Sequence, residues 1–249
     1  MLSVRKLYKW YVGSLDAAVN GISFKARKGE IVGILGTNGA GKTTTLAIIA
    51  GLLPPTEGDV TVAGHSVVRE PLAVKERIGY MPENPHLYER LTGREFLRLV
   101  GDLRGVPEEE GARFHQRMAE HIELAERLDD YISTYSKGMV QKTAFMAAVG
   151  HRPDILLLDE PFSGIDPVSS RRMRDWLRGY ARQGNAILFS THIVDLAEKV
   201  CDRVVVLHRG NKVEEGTVAE IVGRTGKGNL EDAFIEVIRR KRDGDEAAP

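Results

Sequence analysis

Net charge is the first thing this sequence lacks: 35 lysines and arginines balance 35 aspartates and glutamates over 249 residues. A chain devoted to bulk nucleic acid usually carries a basic domain or stripe, so the balance argues against a nucleic-acid partner. Cysteine is nearly absent. The single Cys201 can neither close an internal disulfide nor supply a multi-cysteine zinc site, and a reducing cytoplasm suits such a chain. No run approaches the roughly 18 apolar residues of a membrane span, and residues 1–10 carry Arg5, Lys6 and Lys9 without an apolar h-region. Neither a signal peptide nor an embedded segment is expected. Aromatics are sparse at 6%, yet 42% hydrophobic and 28% charged residues are globular proportions, and the length suits one large domain or one domain with an insert.

The apolar pattern alternates between short unbroken runs and helical periodicity, which predicts an α/β protein with a mostly parallel sheet. The runs Ile31 to Leu35, Ile155 to Leu158, Ala186 to Phe189 and Val204 to Leu207 read as central strands covered on both faces. Residues 16–27 and 58–69 read as antiparallel strands, with Val19, Phe24, Val60 and Val62 facing inward. Thr92 and Glu95 form a capping box, and Pro107 and Asp166-Pro167 mark further helix starts. Between about residues 86 and 151 almost nothing is strand-like, so a helical subdomain is expected there, inserted into a domain over residues 1–240. Residues 241–249 read as a polar, disordered tail, with attraction of the preceding basic run to an anionic membrane surface as the alternative.

Gly36-Thr37-Asn38-Gly39-Ala40-Gly41-Lys42-Thr43 matches G-x-x-x-x-G-K-[ST], directly after an apolar strand and before a helical pattern. The glycines let backbone N–H groups turn toward a phosphate, and the following helix offers its positive end. Lys42 would bring a cation to the β- and γ-phosphates, and Thr43 a hydroxyl to Mg²⁺. The bland alternative is a glycine-rich turn with an accidental lysine. Farther on, the strand Ile155 to Leu158 ends in Asp159-Glu160. Adjacent strand residues point to opposite sides, so the two carboxylates should have different jobs: Asp159 in the Mg²⁺ shell and Glu160 as general base on a water. Alone, such a pair also fits a helix N-cap; a phosphate loop in the same chain favours the catalytic reading.

At this point the chain resembles the ATP-binding subunit of an ATP-binding-cassette (ABC) transporter over about residues 3–240. Tyr135-Ser136-Lys137-Gly138-Met139-Val140-Gln141-Lys142 is similar to the family's Leu-Ser-Gly-Gly-Gln signature, and Ser163-Gly164-Ile165-Asp166 to its D-loop. His192, in Ser-Thr-His, matches the switch histidine that contacts the γ-phosphate and orients Glu160. Lys9-Trp10-Tyr11 occupies the position of the aromatic loop, with Tyr11 as the adenine-stacking residue. Gly79-Tyr80-Met81-Pro82-Glu83-Asn84 occupies the Q-loop, but with Glu83 where glutamine is usual. A carboxylate can ligate Mg²⁺ and cannot donate a hydrogen bond. Pro-Glu-Asn and Tyr-Ser-Lys-Gly-Met together resemble subunits of type 2 exporters.

The resemblance implies a P-loop NTPase with a RecA-like core, an N-terminal antiparallel β subdomain and the inserted helical one. It implies ATP and Mg²⁺ as ligands. Gly36 to Thr44 would cradle the nucleotide, Thr43, Glu83 and Asp159 would serve the metal, and Glu160 and His192 would be catalytic. Ser136 and Gly138 would close over the γ-phosphate bound by a second nucleotide-binding subunit. A transmembrane permease partner and a location on the cytoplasmic face of a membrane follow, with the Glu83 loop and residues 84–105 as the coupling surface. One rival is a soluble ABC ATPase serving a cytosolic assembly. Another is a GTPase, from Asn211-Lys212-Val213-Glu214, which reads better as a hairpin turn.

Overall fold

The computed structural model describes residues 1–246, with side chains described to residue 241. Its larger sheet has the order β10-β9-β3-β8-β7-β6. Strands β3 (Ile31–Leu35), β6 (Ile78–Met81), β7 (Ile155–Asp159), β8 (Ala186–Thr191) and β9 (Arg203–His208) run parallel, and β10 (Asn211–Thr217) joins one edge antiparallel. The four runs expected as central strands are β3, β7, β8 and β9, and each has a neighbour on both sides. A smaller antiparallel sheet has the order β2-β1-β4-β5, built from β1 (Leu2–Lys9), β2 (Val19–Ala26), β4 (Glu57–Val62) and β5 (His65–Ser66).

Period-two alternation sorts the central side chains into layers. Ile155 and Leu157 of β7 and Ala186 and Leu188 of β8 join the core shared with the small sheet and helix α1 (Lys42–Ile49). Leu156, Leu158, Ile187 and Phe189 join the opposite core. Against that face pack α5 (Lys137–Val149) and α6 (Pro167–Arg182), with Phe145, Met146, Met173 and Leu177 fully buried. Val19, Phe24, Val60 and Val62 are buried as expected. The stretch 58–69 is not one strand: Ala63 and Gly64, both with positive φ, turn the chain between β4 and β5.

Between β6 and β7 lie α3 (Gly93–Leu103), α4 (Glu108–His121) and α5, joined by two short 3₁₀ turns. A capping box starts α3: Thr92 Oγ1 accepts from the Glu95 N–H at 3.2 Å, and Glu95 Oε2 accepts from the Thr92 N–H at 2.8 Å. The other helices are α2 (Pro71–Arg77), α7 (Val194–Val200), α8 (Val218–Thr225) and α9 (Leu230–Glu246). The last of these continues past residue 240 into the stretch expected as a disordered tail; residues 247–249 lie outside the described residues. Asn211-Lys212 opens β10 just after a turn at Arg209 and Gly210, the hairpin position its sequence suggested. No helix among the described residues is long and apolar enough to cross a membrane.

Candidate functional site

The carboxyl ends of β3, β7 and β8 converge on one cleft of about 450 Å³, lined by Asn38 to Thr44, Glu83, Asp159 and Glu160, with Ala18 at its edge. The loop after β3 turns into α1 through Gly41, at φ +98°. A Cβ on Gly41 would sit 2.3 Å from the Ala18 carbonyl oxygen, so both backbone and space require glycine. Lys42 is 7% exposed, and its Nζ donates to the loop carbonyls of Gly36 at 2.9 Å and Thr37 at 3.2 Å. It also lies 3.9 Å from Glu160 Oε1. Gly36 and Thr37 thus act here as the harness of the lysine.

Asp159 closes β7 opposite Ser190 of β8. The Ser190 hydroxyl donates to Asp159 Oδ1 and accepts from the Glu160 N–H at 3.2 Å. The Ser190 carbonyl also receives the Glu160 N–H, at 3.2 Å. This grip holds Glu160 at φ +48°, a left-handed conformation that costs a non-glycine residue on the order of 1 kcal/mol or more. Its carboxylate is turned into the cleft. Thr191 Oγ1 donates to Oε2 at 3.2 Å, and His192 Nδ1 lies 2.8 Å from Oε1. A carboxylate only accepts, so Nδ1 carries the proton in this pair.

Asp159 Oδ2 is buried and has no partner within the chain. An orphaned carboxylate oxygen beside the Thr43 and Glu83 side chains suits a hard, oxygen-seeking cation, so these residues fit Mg²⁺. Glu83 is itself exposed, and its carbonyl accepts from Gln141 Nε2 at 2.9 Å, which ties its loop to α5. Tyr11 is 45% exposed, with its hydroxyl 3.3 Å from Thr44 Oγ1 and Lys9 Nζ 5.7 Å from the ring centroid. Tyr8 and Trp10 stack on each other instead, at 5.3 Å.

Ser136 and Gly138 do not line this cleft. Ser136 is exposed and caps α5, accepting from the Met139 N–H at 3.3 Å. A Cβ on Gly138 would lie 2.6 Å from the Gly164 carbonyl oxygen, so the signature and the D-loop segment touch backbone to backbone. The same junction is pinned by Lys142 Nζ, 3.0 Å from Asp166. The Asp166 carboxylate also receives the Ser169 N–H at 2.8 Å; that bond, with Lys142, holds its pKa far below the usual range. Ser190, Thr191 and Gln141 are the site's unforeseen members. Their signal was present in Ser-Thr-His and in the signature, but it is readable only once the β7–β8 register and the path of α5 are known.

The chain matches the family model described as ABC transporter over residues 19–163. It is similar to the linearmycin resistance ATP-binding protein LnrL of Bacillus subtilis, at 33% identity over 96% of this chain and 79% of that one. It is also similar to the ABC transporter ATP-binding protein NatA of the same organism, at 37% identity over 90% and 91% of the two. A solved ATP-binding subunit of an ABC transporter superposes with a TM-score of 0.89 at 33% identity, covering 96% of this chain and 99% of that one. A bacterial ABC transporter cassette solved as a dimer shares the fold, with a TM-score of 0.80 at 24% identity over 87% and 98% of the chains.

Proposed function

The chain belongs to the ABC transporter family as an ATP-hydrolysing cassette, and we propose that it drives export across a membrane through a partner transmembrane subunit, working from the cytoplasmic face. The observation that carries the catalytic part is the end of β7. There one carboxylate keeps a bare oxygen toward the cleft, and its neighbour is clamped between a hydroxyl and an imidazole. Outward direction is supported by the Pro82-Glu83-Asn84 and Tyr135 to Met139 segments, which resemble those of type 2 exporters.

In this reading the N–H groups of residues 36–44 surround the phosphates of ATP, and Lys42 exchanges its loop carbonyls for phosphate oxygens. Tyr11 stacks on the adenine. Thr43, Asp159 and Glu83 hold Mg²⁺, which neutralises phosphate charge when bound. Glu160 takes the proton of the attacking water, and His192 keeps the carboxylate aimed while reaching the γ-phosphate region. Because Ser136 and Gly138 lie outside the chain's own cleft, they serve the ATP of a second copy or a close relative, in a head-to-tail dimer.

Glu160→Gln keeps the shape and removes the base. ATP affinity should stay within a few-fold while turnover falls by about a hundredfold or more. Equilibrium binding of a fluorescent ATP analogue, together with phosphate release, checks both; turnover near the wild-type rate would remove Glu160 from this role.

A further inference from the structure

Between α3 and α4 a cavity of about 140 Å³ opens into the helical block, sharing no lining residue with the nucleotide cleft. Leu97 and Leu128 are buried in its wall, and Val106 is half-buried. Gly101 of α3 and Gly111 of α4 also line it, and neither has a positive φ. A Cβ on Gly101 would meet Val106 at 3.9 Å, and one on Gly111 would meet the same side chain at 3.4 Å, both ordinary contacts. Glycine weakens a helix, and here neither the backbone nor a close approach calls for it. What the two positions share is the cavity.

His115 stands in the same wall, 7% exposed, and its ring makes no hydrogen bond to any described residue. Burial pushes its pKa down to about 4, so at neutral pH the ring is uncharged and offers one donor and one acceptor. A buried polar group without a partner is costly, and a ligand that supplied one would be held for it. The charges at the mouth are already balanced: Arg98 lies 3.0 Å from Glu108 and 4.0 Å from Asp102, and Arg94 lies 2.7 Å from Asp129. An ionic ligand would therefore bury its charge without a counter-charge. A neutral one with an apolar body and a single hydrogen-bonding group satisfies both the wall and the imidazole. A cavity of roughly 150 Å³ holds one benzene ring, which sets the size.

We propose that this cavity is a binding site for a neutral single-ring ligand of phenol size, its hydroxyl hydrogen-bonded to the His115 imidazole and its ring against Leu97, Val106 and Leu128. The site goes beyond the transport reading and does not depend on it. His115 Nε2 packs against Gly150, where a Cβ would lie 2.7 Å away. Gly150 ends α5 and Ser136 starts it, so an occupant would reach, through His115, the helix that carries the signature.

The test titrates phenol into the full-length wild-type chain and follows protein NMR shifts; saturable binding with a Kd of about 1 mM or tighter is expected. Benzoate and benzylammonium, charged rings of similar size, should show no saturation. Gly111→Leu and, separately, Gly101→Leu fill the space from opposite helices and should abolish phenol binding while affinity for a fluorescent ATP analogue stays at the wild-type value. If one leucine variant loses ATP binding, the other carries this arm. His115→Phe keeps a ring and removes the hydrogen bond, so the ratio of phenol to toluene affinity should fall about tenfold. The proposal is overturned by a wild-type chain that shows no saturable phenol binding or takes the charged rings as well. Phenol binding that survives in a folded leucine variant, or a phenol-to-toluene ratio that His115→Phe leaves unchanged, overturns it too.

Discussion

With its N–H on Ser190 and φ at +48°, Glu160 presents its two carboxylate oxygens to two different residues, Thr191 and His192. The acid pair and the histidine were legible as motifs, each at the end of an apolar run. The hydroxyls of Ser190 and Thr191 were not, because nothing in a serine or threonine distinguishes a second-row support from a strand filler until its cross-strand neighbour is known. The same limit hid His115, which is buried edge-on to Phe114 at 5.6 Å in the helical block. Burial pushes its pKa down to about 4, against 6.5 for the free side chain. Arg94, Arg98 and Glu108 line the same cavity but are engaged with Asp129 and with one another. The folded form keeps His115 neutral where the unfolded form takes up a proton. Stability from this residue is therefore complete above about pH 6.5 and is lost as the pH falls toward 4. Between pH 7 and pH 5 that share amounts to about 2 kcal/mol, and urea unfolding of His115→Leu should show an acid dependence shallower than wild type by that amount.

Element boundaries were readable where the backbone's needs are met locally. Thr92 and Glu95 announce the start of α3 because both halves of the capping box lie within four residues, and Asp166 caps α6 as locally, its carboxylate accepting from the Ser169 N–H. Thr92→Ala removes the hydroxyl that receives the Glu95 N–H, and thermal or urea unfolding should show a loss of about 1 kcal/mol. Strand β1 was not readable, for the opposite reason. Leu2 and Val4 face inward with period two, but Lys6 has φ +43° and the register shifts before Leu7, so the alternation breaks at an irregularity set by partners far along the chain. Strand β6 has only four residues and is defined by its pairing with β7 rather than by a pattern of its own.

At the scale of the whole molecule, the cleft gathers residues 38–44 of the phosphate loop, both carboxylates and Glu83, and Tyr11 and His192 join it through Thr44 and Glu160, whereas Ser136 and Gly138 do not line it. On the two-copy reading, Ser136→Arg should bind ATP with near wild-type affinity but fail to dimerise. Sedimentation in the Glu160→Gln background with ATP checks this, and an intact ATP-bound dimer would count against a composite site. Within each copy, the chemistry depends on a single alignment: Asp159 stands opposite Ser190, so Thr191, the last residue of β8, and His192, just beyond it, fall to Glu160. Side chains alternate along a strand, so a slip of β8 by one position would exchange every one of these partners for a residue facing the other layer. No half-aligned arrangement exists between the two registers. Damage to this sheet would therefore thin the count of working molecules while each survivor turned over at its full rate, and titrating active sites would tell such damage apart from a slower catalyst.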